Sequence, residues 1–198
     1  NTGATTNMSR LFYNCTGLKI LDLTGFITAG VKDMSSMFFG CQAMESVDLR
    51  SFKVEAVTTF ASMFQGCTRL VDADLSTFNA LNLTTTASMF NGCTALQEVK
   101  FPDRNFSSAK LVNINQMFDG CTALESMDLT SMNVTGVVTY MQYVFRNCVN
   151  LVSVDLSSWV LNPDSGVYAY YMFNNCANLE TVYVSEKWNF ERLSVTTT

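Results

Sequence analysis

The chain has no histidine in 198 residues. That absence removes the Ser-His-Asp and Cys-His arrangements of nucleophilic catalysis. Its seven cysteines are never closer in sequence than 26 residues, so the paired Cys-x-x-Cys spacing of a zinc site is missing as well. Positive charge is scarce: 12 Lys plus Arg stand against 17 Asp plus Glu, giving a net charge of -5 and a pI near 4.6. Nucleic-acid binding needs clustered cations to displace counterions from phosphate, and no such cluster is present. No apolar run approaches the roughly 18 residues of a membrane-spanning helix. The chain is therefore expected to bind no nucleic acid, to need no cofactor and not to be embedded in a membrane.

What the sequence does contain is one pattern, written seven times. MFFGCQAMESVDL, MFQGCTRLVDADL, MFNGCTALQEVKF and MFDGCTALESMDL are close copies, with LFYNCTGLKILDL, VFRNCVNLVSVDL and MFNNCANLETVYV as looser ones. The cysteines at 15, 41, 67, 93, 121, 148 and 176 are separated by 26, 26, 26, 28, 27 and 28 residues. Self-similarity at such a period marks a stacked array, in which each unit buries its apolar face against its neighbours. Residues 1–198 are read as a single solenoid domain.

Each part of the repeat has a physical reading. Before Cys67, apolar residues fall at Val57, Phe60, Met63 and Phe64, a spacing that predicts a short helix with one buried stripe. The residue preceding each cysteine is always glycine or asparagine, the two that best tolerate the left-handed conformation closing a helix. After the cysteine comes Leu-x-x-apolar-x-apolar, as in Leu70, Ala73, Leu75 and Leu151, Val154, Leu156, which predicts a short strand turned inward at alternate positions. An aromatic or large residue follows (Phe26, Phe52, Phe78, Met132, Trp159) and is placed to fill the next corner. The 48% hydrophobic content suffices for a continuous core. Each cysteine is read as a small buried hydrophobe with a free thiol, stacked over its equivalents.

Leu-x-x-Leu-x-Leu is the leucine-rich-repeat signature. The spelling MF-x-G-C-x-x-L-x-x-[VM]-D-L closely resembles the BspA-like leucine-rich-repeat family of bacterial surface proteins, from Met8 to about Trp188. The expected fold is α/β: a solenoid of about seven coils of 26–28 residues, with short parallel strands on a concave face and short helices on a convex one. The bend is expected because helices pack about 8 to 10 Å apart and strands about 4.8 Å apart. The resemblance implies an extracellular cell-surface module that adheres to host or matrix proteins and is not an enzyme. The chain starts without methionine and ends on Thr-Thr-Thr, as expected for the repeat portion of a longer surface protein. The Trp188, Phe190, Leu193 tail is expected to fold over the last coil as a partial cap.

Candidate binding residues are those that alternation turns outward on the strands: Asp48, Arg50, Asp72, Asp74, Glu98, Lys100, Asp128, Asp155 and Tyr183. Aspartate recurs at one repeat position, at 22, 48, 74, 128 and 155. Carboxylates about 5 Å apart repel by about 1 kcal/mol per neighbour in water. Two readings resolve this. Each Asp accepts a hydrogen bond from the Ser, Thr or backbone N–H of the following turn, or the column attracts a cation such as calcium or an external partner. Glycoside hydrolysis by a carboxylate pair, such as Asp72 and Asp74 or Asp74 with Glu98 on the next strand, is a weaker alternative, because a catalytic pair does not need repeating five times. The sequons at Asn7, Asn14, Asn82, Asn105 and Asn133 carry little weight in a chain rich in Asn, Ser and Thr. The extra residues of the longer repeats fall near Pro102 to Phe106 and Asn162 to Gly166, a second candidate surface.

Overall fold

The computed structural model describes residues 2–103, 106, 110–132, 134, 138–160, 167–186 and 188. The Arg104–Asn105 and Asn162–Gly166 parts of the candidate loop surface, and Phe190 and Leu193 of the expected cap, lie outside those residues.

The backbone is a stack of coils in which each residue lies beside its equivalent 26 to 28 positions on. One row of parallel bridges runs Asn7, Asp33, Thr59, Thr85, Asn113, Tyr140, Tyr168. On a second side are the strands β1 (Asp72–Asp74), β2 (Glu98–Lys100), β3 (Ser126–Asp128), β4 (Ser153–Leu156) and β5 (Thr181–Val184). All pair in parallel, as a two-stranded sheet β1-β2 and a three-stranded sheet β3-β4-β5. The strands expected in the first two coils are not formed. The sheet also divides between β2 and β3, at the copy where Lys100, Phe101 and Pro102 replace the usual residues.

The expected short helices are not there: the described residues contain no helix. In the segment from Met34 to Cys41, the odd-numbered amides close tight turns, Phe39 N–H to Ser36 O at 3.1 Å and Cys41 N–H to Phe38 O at 3.1 Å. The even-numbered ones leave the coil altogether. Ser36, Phe38 and Gly40 donate to Ala61, Met63 and Gln65 of the next coil at 2.8, 2.9 and 2.8 Å. A helix keeps its amides for itself; here half of them hold the neighbouring coil. The spacing forbids a helix in any case, since helices need 8 to 10 Å between axes. Successive rings of the column Phe12, Phe38, Phe64, Phe90, Phe118, Phe145, Phe173 stack with centroids only 5.4 to 5.6 Å apart. The inward residues are those the helical spacing picked out: Val57, Phe60, Met63 and Phe64 are fully buried. Tight turns with a left-handed residue at every fourth place reproduce that spacing without a helix. With no helices on one side, the packing mismatch expected to bend the array toward its strands is also gone.

Two left-handed residues per coil make this path possible. One precedes each cysteine, as expected: Asn14, Gly40, Gly66, Gly92, Gly120, Asn147 and Asn175, with φ between 57° and 75°. The other lies four residues earlier and is not glycine: Arg10, Ser36, Ser62, Ser88, Gln116, Tyr143 and Tyr171, with φ between 54° and 61°. A left-handed L-residue costs roughly 1–2 kcal/mol. The inter-coil hydrogen bond that Ser36, Ser62 or Ser88 donates at 2.8 Å offsets a comparable amount.

The core is continuous from Met8 to Trp188. The corner residues behave as read: Phe26, Phe52, Phe78, Met132 and Trp159 each donate their N–H to the carbonyl three residues back. Trp188 does the same to Ser185, at the corner of the seventh coil. The cysteines are free, buried in the five central coils, half-buried at Cys176 and exposed at Cys15. Beyond the first, each thiol donates to the phenylalanine carbonyl of the preceding coil: Cys41 to Phe12, Cys67 to Phe38, Cys93 to Phe64, Cys121 to Phe90, Cys148 to Phe118 and Cys176 to Phe145, at 2.9 to 3.2 Å. Burial pushes Cys41 and Cys176 up to about 11 and Cys67 to about 12, and raises Cys93, Cys121 and Cys148 too.

Two outcomes are expected from this packing. A thiol reagent at neutral pH should label Cys15 first, Cys176 more slowly and the other five only in denaturant; rapid native labelling of several sites would contradict the buried thiol column. Gly66→Ala, which finds no contact closer than 3.7 Å but keeps φ at +74°, should lower stability by about 1 kcal/mol in urea unfolding, through backbone strain.

Candidate functional site: the strand face

Alternation along the strands sets the candidate surface. Ala73, Val99, Met127 and Val154 point into the core; their flanking residues point out. Asp48, Arg50, Asp72, Glu98, Lys100, Asp128 and Tyr183 are exposed, and Asp74 and Asp155 are half-buried. Register brings some of them side by side: Asp72 against Glu98, Asp74 against Lys100, Asp128 against Asp155, and Asp155 against Tyr183. Asp48 and Arg50 lie on an earlier coil and outside any strand.

The aspartate column is structural at its root. Asp22 Oδ1 accepts from Thr24 N–H at 3.0 Å and Thr24 Oγ1–H at 2.7 Å. Asp74 accepts from Ser76 N–H at 3.0 Å, Asp128 from Thr130 N–H at 2.8 Å and Asp155 from Ser157 N–H at 2.8 Å. Asp48 takes the N–H of Arg50 at 3.0 Å and its guanidinium at 3.0 and 2.7 Å. Each aspartate thus closes an Asx-turn, at or near the end of a strand for Asp74, Asp128 and Asp155 and outside any strand for Asp22 and Asp48. The hydrogen bonds favour the charged form. Arg50 holds the Asp48 carboxyl at about 2, the Thr24 backbone lowers Asp22, and the Ser76 hydroxyl lowers Asp74. Repulsion is further relieved where cations interleave, Arg50 with Asp48 and Lys100 with Glu98 at 3.6 Å. The described residues hold no group of three or more acids or cysteines arranged for a metal ion.

The break between β2 and β3 opens a cleft of about 440 Å³ lined by Glu98, Val99, Lys100, Phe101, Asp103, Asp128, Thr130 and Ser131. Beneath it Val99 and Met127 are 7% and 5% exposed, against 2% for Ala73 and 1% for Val154. Asp128 on one wall and Lys100 on the other set opposite charges across the opening.

With this geometry in hand, comparison with known proteins places the chain. A family model described as "Mycoplasma protein of unknown function, DUF285" matches residues 6–107 and again 99–197. The chain belongs to this family. The DUF285 family is of the BspA-like leucine-rich-repeat kind expected from the motif. Similar solved structures include a leucine-rich-repeat protein of T. pallidum, 21% identical, covering 77% of this chain and 63% of that one with a TM-score of 0.49. A leucine-rich-repeat protein of Bacteroides ovatus is 19% identical, covering 87% and 56% with a TM-score of 0.45. A leucine-rich cell surface protein of Faecalibacterium prausnitzii is 15% identical, covering 93% and 77% with a TM-score of 0.32. The DUF285 chain thus spans less than two thirds of the first two. No curated protein matches it. No helix of the described residues is long and apolar enough to cross a membrane.

Sequence reasoning missed two features of this DUF285 chain. The first is a second capping column, eight residues before the cysteine. There Asn7, Asp33, Thr59, Thr85 and Asn113 accept the N–H two residues on at 2.7 to 3.1 Å. The recurrence of Asn, Asp or Thr at that place was a usable signal. The second is a cluster of tyrosines in the sixth and seventh coils, around Cys148 and Cys176. Tyr140 stacks on Tyr168 with centroids 5.7 Å apart and Tyr143 on Tyr171 at 5.5 Å, while Tyr170 meets both Tyr143 and Tyr171 edge-on.

The lowered carboxyls give a pH dependence with a definite sign. Asp48 titrates at about 2 in the fold against an ordinary 3.8, so its contribution is complete above about pH 4 and is lost as pH falls toward 2. Asp22 and Asp74 act in the same direction. Urea midpoints should fall over that window, and the combined Asp22→Asn, Asp48→Asn, Asp74→Asn variant should show a flatter profile; an unchanged slope would mean the turns do not depend on the charge.

Proposed function

We propose that the chain is a non-enzymatic, extracellular recognition module of the cell surface, adhering to host or matrix proteins through its strand face. The observation that carries this reading is the fixed row of outward polar side chains from Asp48 to Tyr183. Each is set on a strand or turn whose other face is core, and the Asx-turns hold the carboxylates in position before any partner arrives. The chemistry of the row suits weak or multivalent contact. Exposed charge pairs contribute about 0.2–1 kcal/mol each, and Tyr183, 55% exposed, is the row's single aromatic anchor of the sort that dominates tight interfaces.

One observation favours a second reading, a structural spacer that displays another domain. The aspartate column already has a task inside its own turns, and that task alone accounts for its recurrence. Glycan binding or cleavage is supported only by the acidic character of the cleft between β2 and β3.

The deciding experiment is a surface-biosensor panel of matrix proteins and glycans against the 198-residue chain and a variant with Asp48, Asp74, Asp128 and Asp155 changed to Asn. Asparagine keeps the Asx-turn acceptor and removes the charge, so folding is preserved. Binding to a matrix protein that weakens at least tenfold in the variant is the expected outcome. Unchanged binding would move recognition off the strand face, and no binding to any panel member would favour the spacer.

A further inference from the structure

The tyrosine cluster replaces a structural role with an exposed one. In earlier coils the place eight residues before the cysteine is held by Asn7, Asp33, Thr59, Thr85 and Asn113, each closing its own turn. Tyr140 and Tyr168 occupy that place in the last two coils, and a phenol cannot make the short Asx or Thr bond. They are 43% and 46% exposed. Their rings stack on one another yet stay exposed, so the coils give up a local bond without burying the aromatic that replaces it.

Charge singles out the same surface. Residues 138–148 and 167–176, which build it, contain one charged side chain, Arg146. Its guanidinium is forked onto buried Asp119, with Nε 3.1 Å from both carboxylate oxygens, and lies 4.4 Å from the Tyr143 ring centroid. The patch is therefore electrically neutral on a chain of net charge -5. Two copies meeting through the acidic strand face would bring like charges together; two meeting through the tyrosines would strip no unpaired ion of water. Tyrosine supplies large contact area at small entropic cost and pairs readily with its own kind.

We infer that this face is a self-association surface, on which a second copy of the chain seats its own Tyr140 and Tyr168 about a two-fold axis. Two exposed and three half-buried tyrosines fall short of the roughly 20–30 residues a side of a standard interface, so the dimer is weak. The strand row lies on another side of the coil, so pairing leaves it open and doubles the number of binding rows per particle. Two linked weak sites gain avidity without any new contact. This consequence rests on the recognition reading, but the dimer itself does not.

Sedimentation equilibrium of the 198-residue chain from 10 µM to about 1 mM tests it, the range following from the expected weakness. The weight-average mass should rise from 22.0 kDa toward twice that value, and should do so equally in 0.1 M and 1 M salt, because no unpaired charge is in the contact. The Tyr140→Ser, Tyr168→Ser variant should remain monomeric with an unchanged circular dichroism spectrum. Tyr168→Lys, which keeps the chain's bulk but sets like charges across the axis, should also weaken pairing, and less so in high salt. A mass that stays at the monomer value to 1 mM overturns the inference, as does a dimer that survives both variants or dissolves in salt. Biosensor binding through the strand face is read separately on monomeric protein, so failure of one reading leaves the other standing.

Discussion

The distance between neighbouring coils governs this structure. Backbone amides of one coil donate to carbonyls of the next, and that bond holds equivalent residues about 5 Å apart along the array, as the stacked phenylalanines record. Whatever occupies a coil must be one backbone thick. A helix is two strand spacings wide, so the chain turns its corners with left-handed residues instead. Side chains then stack on their own kind, and rings, thiols and inward methionines form columns that cross every interface. Burying a large aromatic contributes about 1.5–3 kcal/mol, and each column supplies such a term at almost every coil. No coil owns its core; it is shared with its neighbours.

The same spacing explains why charge on the strand face is arranged as it is. Outward positions also repeat at that distance, so any ionised column meets itself. The chain answers by fixing each aspartate in a turn, where Thr24 or Ser76 stabilises the anion locally, and by interposing Arg50 and Lys100. A row built this way has little freedom to rearrange. Whatever it meets, it meets with its electrostatics already set.

Much of this was legible in the residues. The period follows from comparing the seven copies, the inward columns and the left-handed glycine or asparagine before each cysteine follow from local chemistry, and the Asx role of Asp22 to Asp155 was one of the two readings that chemistry left open. The helix did not survive, for a reason equally physical. Tight turns and helices place apolar residues at the same three-residue spacing, and what separates them is where the amides go, a property of two coils and not of one. The left-handed Ser36, Ser62 and Ser88 were hidden for the same reason, since their strain is offset by bonds to a neighbouring coil. The tyrosine cluster was missed because its stacking, Tyr140 on Tyr168 and Tyr143 on Tyr171, joins two coils and cannot be seen in one.

The turn side of the coil also has a direction. In an ordinary sheet, successive peptide units point alternately to either side and their dipoles cancel. Here the amides of Met8, Arg10, Phe12 and Asn14 all aim at the second coil, and those of Ser36, Phe38 and Gly40 all aim at the third. Elsewhere on the coil, bonds such as Lys32 N–H to Thr6 O and Ala43 N–H to Thr16 O run the other way. The turn side of the stack is therefore electrically polar along its length. A coil laid against its first turn would have to offer amides, and one laid against its last would have to offer carbonyls, so the array can be read, and extended, in one sense only.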